Sequence, residues 1–161
     1  MATLVTGGSI ARESWNPAQL PPPSLRIDGV LWAGVVAHLR AALPNEGCGL
    51  LAVALDDATR VTAFCPGDNV DASPTRFTMD PVAVLAAFRE MDARGWRLGA
   101  IVHAHPATPA TPSPTDLREA FYPAAAMLIV SFAGSEPVAR LWAVGPAGEI
   151  DERPLRIDAR A

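Results

Sequence analysis

Two histidines and one aspartate stand at a spacing that could build a metal site. His103 and His105 lie two residues apart at the end of a predicted buried strand, and the two-residue alternation of a strand places both imidazoles on one face. Asp116 follows eleven residues after His105, in the first turn of a predicted helix. Two imidazoles and a carboxylate are a zinc ligand set that leaves the fourth position open for water, which is typical of a catalytic site.

The same residues also allow simpler interpretations. A pair of histidines on a strand is a weak signal by itself, because histidines are also found as hydrogen-bonded core side chains. The segment 113–116 has the form of a helix capping box, with Ser113 as the N-cap and Asp116 at the third helical position. Ser113 can cap a helix and take part in chemistry as well, whereas an aspartate buried in the cap would compete with a ligand role.

The full pattern carries more information than its parts. Its downstream portion reads His103-x-His105-x7-Ser113-x2-Asp116, and a glutamate precedes it in Asn45-Glu46-Gly-Cys-Gly-Leu-Leu. This pattern resembles that of the JAMM (MPN-plus) zinc metallopeptidases, and all positions of the motif are filled. The resemblance extends over residues 27 to about 157 and is closest to small bacterial members that act on ubiquitin-like or sulfur-carrier proteins. It implies a single mixed α/β domain with a central sheet flanked by helices.

The resemblance also implies an activity and a role for each site residue. The activity is zinc-dependent hydrolysis of a peptide or isopeptide bond after the Gly-Gly tail of such a carrier protein, for example to release cysteine from a carrier adduct. By similarity, His103, His105 and Asp116 bind Zn²⁺, Glu46 deprotonates the attacking water, and Ser113 donates a hydrogen bond to the oxyanion. The chemistry agrees with this, since a carboxylate that is not itself a ligand can accept the proton. Taken alone, Glu46 would be interpreted as a solvated loop acid.

Two functions of other classes compete with this hypothesis. One is a catalytically inactive MPN scaffold that only binds protein partners. Such members lack the ligand set, which is complete here, but a complete motif does not prove turnover. The other is a zinc deaminase, which needs an H-x-E element followed by P-C-x-x-C. The sequence contains neither element, so this second alternative is rejected.

Composition and charge restrict the class of protein and the kinds of partner that the chain can have. The chain has 161 residues, of which 50% are hydrophobic and 19% charged, which is typical of one globular domain. A net charge of -4 without a basic stripe argues against nucleic acid as a partner. No apolar run reaches the ~18 residues of a membrane span, and no basic-then-apolar leader opens the sequence. We therefore expect a soluble cytoplasmic protein.

The predicted elements place the motif residues in a mixed α/β order. Helices are expected over 29–43 and 81–94, the second with Asp80 as its N-cap and Gly95 as its end. A third, short helix opens at Ser113, and 106–112 is expected to be a loop. The predicted strands are 48–55 and 60–64, which form a hairpin, and 76–79, 98–103, 126–132, 138–144 and 149–157.

Several polar residues have no motif of their own. Cys48 and Cys65 are too few for a disulfide framework and lack CxxC spacing, so we expect reduced thiols rather than zinc ligands. His38 is interpreted as structural or exposed. Asn69 and Arg76 are possible cleft residues by position only.

The first residues differ from the rest of the chain. Residues 1–24 contain Gly7-Gly8 and the run Pro21-Pro22-Pro23, which predicts a flexible arm ahead of a folded domain over 25–161. The segment 4–9 also resembles the Gly-Gly tail that such enzymes cut. One hypothesis is that the arm visits the cleft as a weak pseudo-substrate, and the simpler alternative is a plain flexible leader.

Overall fold

A computed structural model of the chain describes residues 20–159. Eight strands and three helices follow one another in this range. The first half contains β1 (Leu25–Ile27), α1 (Gly29–Ala41), β2 (Cys48–Ala54), β3 (Val61–Gly67) and α2 (Pro81–Arg94). The second half contains β4 (Trp96–His105), α3 (Pro114–Arg118), β5 (Ala126–Ser131), β6 (Val138–Val144), β7 (Ile150–Arg153) and β8 (Leu155–Ile157).

The centre of the molecule is a six-stranded sheet of order β3-β2-β4-β5-β6-β7. The strand β4 lies inside it, antiparallel to β2 and parallel to β5. The short strands β1 and β8 pair with each other in parallel. The expected mixed α/β domain with a central sheet and flanking helices is therefore confirmed, and so is the β2–β3 hairpin.

The two faces of the sheet bury different cores. Val102 and Ala104 of β4 belong to a cluster that also contains residues of α1. Ile101 packs against a second cluster, which contains residues of α2. His103 and His105 share the strand parity of Ile101, so both imidazoles project from the face that α2 covers.

The ends of the two long helices follow their sequence signals. Asp28 caps α1, and its carboxylate accepts hydrogen bonds from the first helical amides. Asp80 caps α2 in the same manner, Pro81 occupies the first turn, and Gly95 ends the helix in the left-handed conformation with φ 66°. The prediction for α2 is confirmed, and α1 ends two residues before the predicted residue 43.

The predicted strand over 76–79 is wrong. Met79 makes only an isolated bridge with Asn69, and residues 75–78 have no regular structure. The backbone of this segment hydrogen-bonds instead to the Asn69 side chain, at the Arg76 carbonyl and the Thr78 amide. The segment therefore pairs with the backbone of residues 68–70 through a single bridge, and the Asn69 side chain makes hydrogen bonds of the kind that a longer ladder would have supplied.

Several other strands also differ from the predictions, and β3, for example, extends to Gly67 rather than ending at residue 64. The strand predicted over 149–157 is split at Pro154, where a missing N–H interrupts the ladder, and β8 then leaves the large sheet to pair with β1. The strand β1 itself was not predicted, because three residues are too few to show a period. The strand β4 extends beyond the predicted 98–103 and includes both histidines.

Most of the predicted arm lies outside the described residues, including the Gly-Gly segment and the pseudo-substrate hypothesis built on it. The first described element, β1, begins at Leu25. The division into an arm over 1–24 and a domain over 25–161 remains a prediction. None of the helices in the described range has the length and hydropathy of a membrane span.

Candidate metal centre

The strand β4 supplies two of the three candidate ligands. His103 and His105 are both buried, at the end of the strand where it pairs with β2 on one side and β5 on the other. Their Nε2 atoms are 3.1 Å apart. Because β4 is paired along both edges, the backbone that carries the two rings is held in place.

The short helix α3 supplies the third ligand. The Asp116 carboxylate is buried and reaches both histidines, with Oδ1 3.2 Å from Nε2 of His103 and Oδ2 3.2 Å from Nε2 of His105. The ligand atoms of the three residues all lie within 4.8 Å of one another. The structure therefore brings together the three residues that the sequence singled out.

The hydrogen bonds around His105 show that this group suits a cation. Its Nδ1 lies 2.8 Å from the Pro109 carbonyl, and a carbonyl can only accept, so Nδ1 carries the proton. When the ring is neutral, its Nε2 atom presents a lone pair towards Asp116 and His103, and when the ring is protonated Nε2 donates to Asp116. A metal ion would take the place of that proton, and a backbone carbonyl bonded to the other ring nitrogen commonly orients a histidine that binds a metal.

Burial and the hydrogen bonds among these three residues shift their pKa values. Burial works to raise the pKa of Asp116, but hydrogen bonds from His103 and His105 outweigh it and the pKa is lowered far below its ordinary value. Burial lowers the pKa of His103. Burial also works to lower the pKa of His105, but its bonds to Asp116 and to the Pro109 carbonyl outweigh burial, and the pKa is raised. Asp116 is thus ionised at neutral pH, as a metal ligand must be.

Glu46 enters the site from the segment between α1 and β2. Its side chain is buried, with 4% exposed surface. Its Oε2 atom has no hydrogen-bond partner among residues 20–159. Burial raises the pKa of Glu46 from 4.5 to about 7, with His105 opposing this change and Asp116 adding to it. The result is a carboxylate that can gain or lose a proton near neutral pH.

Ser113 caps α3, as the sequence predicted. Its Oγ accepts a hydrogen bond from the Asp116 amide at 3.1 Å, and its own amide donates to Oδ2 of Asp116 at 2.7 Å. Asp116 therefore completes the capping box and faces the histidines at once, so the two roles do not compete. The oxyanion role of Ser113 stays a prediction.

Two contacts of the histidines were not predicted. The Phe77 ring stacks on His103, with 4.8 Å between ring centroids and 27° between planes. The Pro109 carbonyl accepts a hydrogen bond from Nδ1 of His105 and so fixes the orientation of that ring. Neither contact has a sequence signal, because the first depends on how an irregular loop packs and the second on a backbone atom.

The other histidine and the cysteines lie outside this group. His38 donates from Nε2 to the Cys48 carbonyl at 3.0 Å or the Gly67 carbonyl at 3.2 Å, which is a structural contact. Cys48 and Cys65 are free thiols. In the described part of the chain, the single group of candidate metal ligands is the one formed by His103, His105 and Asp116.

Comparison with solved structures identifies the class of fold. A Desulfitobacterium hafniense protein is 37% identical, with a TM-score of 0.75 over 84% of this chain and 94% of that one. A structure described as a JAMM metalloprotease-like zinc site in the proteasome and signalosome is 18% identical, with a TM-score of 0.50 over 84% and 99% of the two chains. The second likeness concerns the fold alone. Residues 30–145 match the family described as prokaryotic homologs of the JAB domain, and the chain belongs to this family.

Two named relatives are peptidases. A probable TtuB-protein conjugate cleaving protease of Thermus thermophilus is 42% identical over 85 residues, which cover 52% of this chain and 55% of the relative. A CysO-cysteine peptidase of Mycobacterium tuberculosis is 36% identical over 97 residues, which cover 60% and 66% of the two chains. The matches thus span less than two thirds of either relative. The resemblance to JAMM proteins is confirmed at the level of the family.

The first prediction concerns metal content. We expect about one zinc per chain after purification without chelators, and Asp116→Asn should reduce it strongly, because the amide lacks the negative charge of the ligand. Elemental analysis measures this. Asp151→Asn makes the same change at an exposed position of β7 and should leave zinc unchanged. Equal zinc in both variants would remove Asp116 from the ligand set.

The second prediction concerns the stability of the metal-free protein. Folding raises the pKa of Glu46 from 4.5 to about 7, so the folded state binds more protons between these values and stability falls as pH rises through them. Glu46→Gln does not undergo this loss of stability, which amounts to roughly 3 kcal/mol. With chelator present, the unfolding temperature of the variant should rise relative to that of the wild type as the pH increases from 5 to 8. A difference in unfolding temperature that does not change with pH would contradict the raised pKa of Glu46.

Proposed function

We propose that the chain is a zinc-dependent peptidase that cleaves a peptide or isopeptide bond after the Gly-Gly tail of a ubiquitin-like or sulfur-carrier protein. One observation carries the proposal: three buried ligand groups converge beside a buried carboxylate that is not one of them. A structural metal site needs no such neighbour, whereas hydrolysis needs a base. The names of the two relatives support the reaction class and the kind of substrate.

His103, His105 and Asp116 are the residues that would hold the zinc ion. When bound there, zinc would supply Lewis-acid chemistry, polarising the scissile carbonyl and making water more acidic. Glu46 accepts the proton from the attacking water and later passes it to the leaving amine. In the metal-free protein burial raises the pKa of Glu46 to about 7, and a carboxylate made more basic in this way accepts a proton more readily.

Ser113 is proposed to stabilise the developing oxyanion. In the capping box its Oγ accepts from the Asp116 amide, which leaves the hydroxyl hydrogen free to be donated. A donor of this kind contributes roughly 3 kcal/mol in other hydrolases. The cap fixes the position of the hydroxyl before the reaction begins.

The names of the relatives and the chemistry of the tail support the proposed substrate. One relative is named for a protein conjugate of TtuB and the other for a cysteine adduct of CysO. A Gly-Gly tail is narrow, because it has no side chains, and it can approach a metal in extended form. A direct test uses a ubiquitin-like protein from the same organism with one cysteine added after its Gly-Gly tail, and mass spectrometry of the products.

The base is tested by Glu46→Gln. The variant should keep its zinc and its fold but lose at least ~99% of kcat on the Gly-Gly-Cys probe, because the amide cannot accept a proton. Elemental analysis and circular dichroism provide the controls. Cleavage at the wild-type rate would rule out Glu46 as the base, and a wild-type protein that binds the probe without cleaving it would favour the non-catalytic scaffold.

The oxyanion donor is tested by Ser113→Ala. We expect kcat to fall by about 100-fold with KM and zinc content nearly unchanged, which is the pattern for an interaction made only in the transition state. Ser113→Gly should lower kcat equally, since glycine is a tolerated N-cap but also lacks the hydroxyl. If kcat stays at the wild-type value in both variants, Ser113 is a cap alone.

A further inference from the structure

The Glu46 carboxylate has a buried oxygen, Oε2, without a hydrogen-bond partner in the described range. A carboxyl oxygen without such a bond takes its position from packing and from the backbone that carries the side chain. The backbone is fixed on both sides. The Glu46 amide donates to the Ser73 carbonyl at 2.8 Å, and the Glu46 carbonyl accepts from Nδ2 of Asn69 at 3.0 Å.

The Asn69 side chain uses its whole hydrogen-bonding capacity in this region. Its Nδ2 donates to the carbonyls of Glu46 and Arg76, both at 3.0 Å. Its Oδ1 accepts from the amides of Asp71 and Thr78, both at 3.1 Å. A primary amide offers two donor hydrogens and two acceptor lone pairs, and these four bonds use them, while a longer contact from Nδ2 reaches the Ser73 carbonyl at 3.5 Å.

These bonds also link Asn69 to one of the proposed metal ligands, His103, through Phe77. Two of the four go to the residues on either side of Phe77, at the Arg76 carbonyl and the Thr78 amide. Phe77 has 3% exposed surface, and its ring stacks on His103 with 4.8 Å between centroids. One side chain thus fixes the backbone of Glu46 and the backbone that presents this ring.

We propose that Asn69 is a positioning residue that sets the distance between the base Glu46 and the metal ligand His103. It acts through Glu46 and Phe77 and does not touch the substrate. The proposal rests on the proposed function, because it takes Glu46 as the base. A displacement of about 1 Å at a reacting group can lower the rate about 100-fold, so a link between the two groups has a measurable effect.

The chemistry of the amide explains why other side chains fail at this position. Aspartate has acceptors but no donors for the two carbonyls, and it would add a negative charge beside Glu46. Serine is neutral and can still accept from the Asp71 amide two residues on, but it is too short to reach the Glu46 carbonyl. Asn69→Ser therefore removes the long-range connection and leaves the local turn.

The test compares Asn69→Ser with Thr78→Val. The second variant removes the bond from Thr78 Oγ1 to Asp71 Oδ2, which is 2.7 Å long and stabilises the same loop through a pair of residues that does not include Glu46. On the Gly-Gly-Cys probe, Asn69→Ser should lower kcat by about 10- to 100-fold with KM and zinc content unchanged. Thr78→Val should keep kcat within about twofold of wild type.

Hydrogen exchange provides a second measurement that does not depend on activity. The amides of Glu46 and Thr78 should exchange faster in Asn69→Ser than in wild type, whereas in Thr78→Val the Glu46 amide should keep its protection. Unchanged exchange in Asn69→Ser would overturn the positioning role by itself. An equal loss of kcat in both variants would also overturn it, because loop stability would then explain the effect.

The two proposals can fail separately. If the wild-type protein with zinc cleaves no Gly-Gly-tailed probe, the proposed function fails, and the exchange rates still decide whether Asn69 fixes Glu46. If the wild type is active and Asn69→Ser keeps its kcat, the peptidase assignment stands and the positioning role is overturned.

Discussion

The site depends on one constraint, which is that three groups with lone pairs must be held together in a buried space. The Pro109 carbonyl accepts a hydrogen bond from Nδ1 of His105, so Nε2 is the nitrogen that faces Asp116 and is available to a cation, either a proton or a metal ion. Without a cation, this arrangement is unfavourable and has to be maintained by the rest of the fold. The central position of β4, paired on both edges, provides that support.

The capping box of α3 holds Asp116 in the position of a ligand. A helix of five residues is too short to be stable alone, yet it has to orient a ligand. The carboxylate has about four lone-pair positions, and it uses one for the Ser113 amide while both oxygens still face the histidines. The contact that stabilises the helix and the contact that orients the ligand are therefore made by the same group.

The sequence predicted those parts of the site that depend on local rules. The alternation of a strand placed His103 and His105 on one face, and the cap pattern placed Asp116 in the first turn of a helix. It could not predict the stacking of Phe77, because 76–79 is not the strand that its residues suggested. The connection made by Asn69 was also hidden, since it joins segments that are 23 residues apart through a side-chain amide. Local patterns do not encode such contacts.

The way in which Glu46 is held follows from the chemistry proposed for it. A hydrogen-bond donor to the carboxylate would fix its position, but it would also favour the ionised form and lower the pKa. In the metal-free protein, burial raises the pKa to about 7, and no hydrogen bond holds the Oε2 atom in place. The position of the carboxylate then has to come from its backbone, and the Ser73 carbonyl and the Asn69 amide are the groups that fix that backbone. A base without a hydrogen bond to its Oε2 atom therefore needs support for its backbone, and the loop that contains Asn69 and Ser73 provides this support.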